Sequence, residues 1–187
     1  MIQSIDIMIL MGLRNVFGAS WLDKPMMFIS GLGNDGFLWI AIAILFFFVG
    51  NKKNPWRRWG ILLLLCLGAN ALVCNVLLKP LVARMRPYDF MGYEILVTRL
   101  TDFSFPSGHT SASFAAATAI YAMKKRWGWA TFLFAALMGF SRLYLGVHYP
   151  SDVFAGALLG WAMATIVILA YKRCVLKNKS RILQIKD

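Results

Sequence analysis

The chain has two histidines, His109 and His148, and each lies in a short polar run at the edge of a long apolar stretch. His148 and Asp152 are four residues apart, a spacing at which a carboxylate can accept the Nδ1 proton of an imidazole and leave Nε2 free as a nucleophile. Pro150 suits the first position of a helix there, and a capping Asp beside a structural His is the alternative reading of this pair taken alone. His109 supplies a second imidazole, so one ring can attack while the other protonates a departing oxygen. Lys79, Arg86 and Arg142 are three cations able to meet phosphate oxygens, the guanidinium groups bidentately. Lys79 and Arg86 are seven apart and share a face if the helix continues, although Pro80 can distort the backbone between them. Ser107 and Gly108 follow Pro106 at a helix start, where free N–H groups and the positive dipole end favour an anion and Gly108 allows close approach. Ser107 also reads as a plain N-cap, and the two roles are compatible. Alone, the PSGH tetrapeptide is a weak signal. Together these residues describe phosphoryl transfer in which fixed cations stabilise the equatorial oxygens, so the chemistry requires neither a metal nor any other cofactor. Nothing resembles a metal cluster, and Asp89, Glu94 and Asp102 read as a solvated rim.

The elements that must position this set are set by composition. The 187 residues are 59% hydrophobic and 15% charged, with a mean hydropathy of +0.63, whereas soluble domains carry about 25% charged residues. Such a chain is solvated by lipid, which excludes a soluble secreted enzyme, a disordered chain and a disulfide scaffold. Its net charge of +12 falls in clusters between apolar runs and forms no basic face for nucleic acid. Cys66, Cys74 and Cys174 read as packing residues. The expected fold is an all-α transmembrane bundle in a single domain, with spans near Gly31–Gly50, Trp59–Leu78, Pro106–Met123, Trp127–Leu145 and Val153–Tyr171. Residues 1–22 are expected as an amphipathic interfacial helix, a sixth span being the alternative. Gly156 and Gly160 have the GxxxG spacing that lets a neighbouring helix approach closely.

The loops these spans create are asymmetric. Lys52, Lys53, Arg57, Arg58, Lys124, Lys125, Arg126, Lys172, Arg173, Lys177, Lys179, Arg181 and Lys186 fall on one side, opposed only by Asp187. The positive-inside rule makes that side cytoplasmic, including a basic tail over 172–187. Every chemistry-bearing residue then falls on the extracytoplasmic side, at four helix ends. Snorkelling anchors would account for Lys79, Arg84 or Arg86 singly, but not for the gathering.

The run Lys79 PLVARM Arg86 Pro87, the tetrad Pro106 Ser107 Gly108 His109, and Ser141 Arg142 LYLGV His148 YPS Asp152 resemble the three-part signature of the type 2 phosphatidic acid phosphatase (PAP2) superfamily. All three motifs occur in order without departure at a signature position, and they cover about Lys79 to Asp152. The resemblance implies metal-independent dephosphorylation of a lipid phosphate through a phosphohistidine. It makes His148 the nucleophile, Asp152 its orienting partner, and His109 the acid and then the base. Lys79, Arg86, Ser107, Gly108 and Arg142 become the phosphate ligands. It further implies a bacterial cytoplasmic-membrane enzyme acting on undecaprenyl diphosphate, with phosphatidylglycerol phosphate, phosphatidic acid and lipid A phosphates as alternatives. A non-enzymatic transporter or anion-binding scaffold is the competing class, and it leaves the His148, Asp152 and His109 set without a purpose. Tyr88, Phe90, Tyr93, Phe103 and Phe105 would form a lip suited to an interfacial substrate.

Overall fold

The computed structural model describes residues 2–51 and 55–184, with side chains over 3–51 and 55–175. Of the residues behind the charge asymmetry, Lys52, Lys53, Lys186, Asp187 and the side chains of Lys177, Lys179 and Arg181 lie outside the described residues. The chain is all-helical, with no strand among the described residues. Its helices are α1 (Ile2–Phe17), α2 (Ser20–Leu32), α3 (Phe37–Val49), α4 (Trp56–Ala71), α5 (Lys79–Val82), α6 (Pro87–Met91), α7 (Gly108–Met123), α8 (Lys125–Tyr144) and α9 (Pro150–Gln184). A π-helical turn, Leu72–Leu78, joins α4 to α5.

Among the described residues two runs are long and apolar enough to cross a bilayer, Trp56–Met91 and Pro150–Val175, and α2 with the segment Asn34–Val49 makes a third if a bend of 48° is allowed within one span. The span expected near Gly31–Gly50 thus holds one straight helix, α3, with a bend just before it. Asp35 and Gly36 take left-handed conformations, with φ of 51° and 71°, and the axis turns there. On the same grounds α7 is too short and α8 not apolar enough to qualify, but α7 is the central helix, packed by α9, α8 and α4. Its Ala115, Ala116, Ala117 and Ala119 are fully buried, so neighbouring helices replace lipid around it and little hydropathy is needed.

The close approach expected of the GxxxG pair is present. A Cβ on Gly160 would lie 2.1 Å from the Ser111 carbonyl oxygen, and one on Gly156 would lie 2.7 Å from that of Ser107. Helix α9 thus rests backbone to backbone on α7, and the Ser107 N–H donates to the Asp152 carbonyl at 3.0 Å. At the opposite end Phe46, Trp56, Trp59 and Trp127 cluster, with Trp56 stacked on Trp59 at 6.4 Å and the Lys124 ammonium 4.5 Å from the Trp127 ring centroid. Amphipathic rings beside a cation suit a headgroup boundary.

The N-terminal segment is two elements instead of one helix over 1–22, because α1 ends at Phe17 and Ser20 opens α2. Helix α1 packs on α8 and α9. It buries Leu10 and Asp6 while Met8 and Val16 stay exposed. Cys66 and Cys74 are buried as expected, and Cys174 is exposed on α9.

Candidate active site

Lys79 and Arg86 do not share a helix face. Helix α5 stops at Val82, and Ala83 takes a left-handed φ of 47°, so the chain turns back and Arg86 returns to Lys79 in extended backbone. Lys79 is re-aimed from below by the π turn, where its N–H bonds the carbonyl of Cys74 five residues back. A cavity of about 770 Å³ opens between these elements, and Lys79, Arg86, Gly108, His109, Arg142 and His148 all stand on its wall. A Cβ on Gly108 would lie 3.6 Å from the Lys79 ammonium and 3.2 Å from the Asn75 Oδ1, so the glycine leaves that space open. Ser107 and Asp152 are fully buried behind the wall. Ser107 is the N-cap residue of α7, but its hydroxyl accepts from Thr110 Oγ1 at 2.9 Å and makes no capping bond.

His148 lies in the turn between α8 and α9, 1% exposed. Its Nδ1 is 3.5 Å from Asp152 Oδ2 and 3.4 Å from Ser104 Oγ, while the Ser104 hydroxyl donates to the same carboxylate oxygen at 2.5 Å. On the other side of the ring, Arg86 Nη1 stands 3.4 Å from Nε2. A guanidinium can only donate, so Nε2 is the unprotonated nitrogen and Nδ1 carries the proton. Burial drives the pKa of His148 down to about 3, the positive charges of Arg86 and Arg142 act the same way, and the bond to Asp152 opposes them. The ring is neutral near pH 7 and presents Nε2 to the cavity.

Asp102 is solvent-exposed, its side chain 47% accessible, but it is more than a solvated rim residue. Its carboxylate bridges Lys79 and Arg86, with Arg86 Nη2 at 2.6 Å, and the Arg86 Nε bonds its carbonyl at 2.9 Å. Burial works to raise its pKa, but the hydrogen bond from Lys79 and the charges of Arg86 and Lys79 outweigh it and hold the carboxyl at about 2. The third cation is in the reverse situation. Arg142 is 2% exposed, gives Nη1 to the Ser30 hydroxyl, and has no hydrogen-bond partner for Nε or Nη2. A buried charged donor without an acceptor costs more than an ordinary hydrogen bond returns, so these nitrogens call for an acceptor.

Three residues outside the expected set take part. Ser104 ties Nδ1 to the carboxylate, and a serine in a polar loop carries no distinguishing signal. Asn34 Oδ1 lies 3.0 Å from His109 Nε2, delivered by the bend between α2 and α3. A Cβ on Gly33 would lie 2.7 Å from the His109 ring, which is why the bend can come so near. Arg84 is no snorkelling anchor, since its Nη1 bonds Asp152 Oδ1 at 2.6 Å. Of the aromatic lip, Phe90 and Phe103 are exposed, but Tyr88 is buried, its hydroxyl bonded to the Leu100 backbone at 3.1 Å.

The PAP2 superfamily model matches residues 59–176 of the chain. Undecaprenyl-diphosphatase of Sulfolobus acidocaldarius is 34% identical over 142 residues, 74% of this chain and 66% of that protein, just under two thirds of its length. Undecaprenyl-diphosphatase BcrC of Bacillus subtilis is 33% identical over 149 residues, 80% of this chain and 72% of its own. Among solved structures, the transmembrane PAP2-type phosphatidylglycerolphosphate phosphatase of Bacillus subtilis superposes with a TM-score of 0.74 at 30% identity, over 92% of this chain and 87% of that one.

Proposed function

The chain belongs to the PAP2 superfamily, a family of phosphoric ester hydrolases, and we propose that it removes the terminal phosphate of a membrane lipid, undecaprenyl diphosphate first among them, through a phosphohistidine on His148. The observation that carries this reading is Arg142, which stands on the wall of a cavity shared with both histidines while its buried Nε and Nη2 have no acceptor. A phosphate supplies the missing oxygens and brings the negative charge that Lys79, Arg86 and Arg142 together offset. Ile40, Leu64, Leu67 and Ala112 line the same cavity and give a lipid chain an apolar wall. The two undecaprenyl-diphosphatases among the relatives favour that substrate. The cation count supports a site on the extracytoplasmic face of a bacterial cytoplasmic membrane.

In the first step His148 Nε2 attacks phosphorus, the P–O bond to the lipid breaks, and His109 gives the departing oxygen a proton. Asn34 Oδ1 accepts from His109 Nε2 in the free protein; with substrate bound, the leaving oxygen replaces Asn34 as partner and takes the Nε2 proton of the His109 imidazolium, leaving a neutral ring for the second step. Asp152 and Ser104 hold the Nδ1 proton while positive charge grows on the ring. In the second step His109 draws a proton from water, the water oxygen bonds to phosphorus as the P–N bond to His148 breaks, and inorganic phosphate leaves.

Phosphate release by the purified protein from a panel of undecaprenyl diphosphate, phosphatidylglycerol phosphate, phosphatidic acid and lipid A tests the reading. Undecaprenyl diphosphate is expected to give the highest kcat/KM, and a different winner reassigns the substrate. Turnover is expected to persist in excess EDTA, because three side-chain cations meet the charge a metal would otherwise meet. Loss of turnover that Mg²⁺ restores would sink this mechanism. Release from none of the panel would favour an anion-binding scaffold.

Asp102 makes a separate forecast. Its carboxylate engages Lys79 and Arg86 where a phosphate would, so an incoming anion must displace it. Asp102→Asn is expected to tighten competitive inhibition by inorganic phosphate by about tenfold, one charge-assisted hydrogen bond's worth. Weaker inhibition in the variant would mean that Asp102 organises the two cations instead of competing for them.

A further inference from the structure

Asp152 has two carboxylate oxygens, and they face different partners. Oδ2 receives the Ser104 hydroxyl at 2.5 Å and the Tyr149 N–H at 2.9 Å, and lies 3.5 Å from His148 Nδ1. Oδ1 is bound by Arg84 Nη1 at 2.6 Å. The same guanidinium reaches Ser151 Oγ at 2.7 Å, places Nη2 2.7 Å from Asp6 Oδ2, and lies 3.9 Å from the centroid of the Tyr149 ring. Asp6 then closes on the start of α9, accepting the Ser151 N–H at 2.9 Å and the Ser151 hydroxyl at 2.5 Å. The Asp6 side chain is 4% exposed and that of Asp152 is fully buried. Two buried carboxylates on separate helices are thus joined through one guanidinium.

We propose that Asp6 and Arg84 are positioning residues for the phosphoryl transfer: Asp6, from α1, fixes Arg84, and Arg84 holds Asp152 turned toward His148. The inference rests on the phosphohistidine reading. Held at one oxygen only, a carboxylate can rotate about its terminal torsion, and the 3.5 Å approach to Nδ1 depends on that angle. Arg84 fixes the second oxygen, and its own planar fork is fixed because Asp6 takes the other nitrogen. The arrangement also divides charge. A guanidinium bound to Asp152 alone would offset most of the negative charge that stabilises the imidazolium-like intermediate, whereas sharing it with Asp6 leaves Asp152 more negative. Among the described residues, the other charges that act most on His148 are Arg86 and Arg142, both cations, and Asp152 is the carboxylate set against them. Neither Asp6 nor Arg84 stands on the cavity wall, which assigns them to the chemical step and not to binding. Helix α1 accordingly belongs to the catalytic apparatus.

The experiment compares the full chain with Asp6→Asn, Arg84→Ala and Arg84→Lys in detergent, measuring kcat, KM, inhibition by inorganic phosphate and melting temperature. Asp6→Asn is expected to lower kcat about tenfold and Arg84→Ala about a hundredfold, the range seen when partners of a site's primary residues are removed. KM and phosphate inhibition are expected to stay within about twofold, the pattern of a lost interaction that does not contribute to ground-state binding. Arg84→Lys keeps the charge but a single ammonium cannot span both carboxylates, so it is expected to recover part of the Arg84→Ala loss and not all of it. Asp6→Asn preserves shape and decides the matter if Arg84→Ala does not fold. A wild-type kcat in Asp6→Asn, with or without a lower melting temperature, would reduce the pair to a structural clasp, and a loss seen in KM would reassign it to binding. Either result with wild-type turnover intact overturns the positioning role alone, whereas a wild-type protein that releases no phosphate from any lipid phosphate overturns the phosphatase reading and this inference with it.

Discussion

His148→Ala is expected to end phosphate release from every lipid phosphate, a loss of at least about 10⁴-fold, because no leaving group compensates for a missing nucleophile. The geometry makes this the largest effect in the protein. Nδ1 faces Asp152 and Ser104, so Nε2 is the nitrogen turned to the cavity. The pKa of about 3 keeps that nitrogen unprotonated, so its reactivity is expected to be flat over about pH 5 to 8, unlike a free histidine titrating in that window. The other imidazole on the wall, His109, holds its Nε2 against Asn34 at 3.0 Å and cannot replace it in place. The measurement is rapid quenching into alkali with a substrate labelled in its terminal phosphate, conditions under which a phosphohistidine survives. Label retained on His148→Ala would move the nucleophile elsewhere and overturn the assignment.

The membrane-bundle class was legible because composition leaves few alternatives, and the helix ends were legible because polar residues break apolar runs there. The break between α2 and α3 was not. Gly33, Asn34, Asp35 and Gly36 fall inside the span expected near Gly31–Gly50, and only the left-handed pair at Asp35 and Gly36 turns the axis and delivers Asn34 to His109. The convergence of Lys79 and Arg86 was legible as a spacing but for the wrong reason. A helix would have aligned them, whereas a π turn and a left-handed Ala83 do so here, and propensity carries no signal for either. Asp102 and Arg84 show the limit most clearly. A carboxylate in a loop and an arginine near a span end each have an ordinary explanation, and their roles depend on partners 16 to 78 residues away. By contrast His148 and Asp152 are local, four apart across the start of α9, and their spacing alone brought the pair into view.

The second large effect separates the histidines by leaving group. Under the proposed mechanism His109 protonates the departing oxygen, so its value grows with the basicity of that oxygen, because general-acid catalysis assists poor leaving groups most. Phosphatidic acid expels an alkoxide, whereas a lipid diphosphate expels a much weaker base. His109→Ala is therefore expected to slow the first step by about 10³-fold or more with phosphatidic acid and by about tenfold with undecaprenyl diphosphate, within the span that general acids contribute. Single-turnover release of the lipid product isolates this step from the later hydrolysis, which also uses His109. Asn34→Ala serves as the companion variant. It removes the acceptor that holds His109 at 3.0 Å without removing the proton, so a small loss with the same dependence on leaving group is expected. Equal losses with both substrates in His109→Ala would refute its role as the acid, and labelled enzyme that forms but does not turn over would confine His109 to the second step.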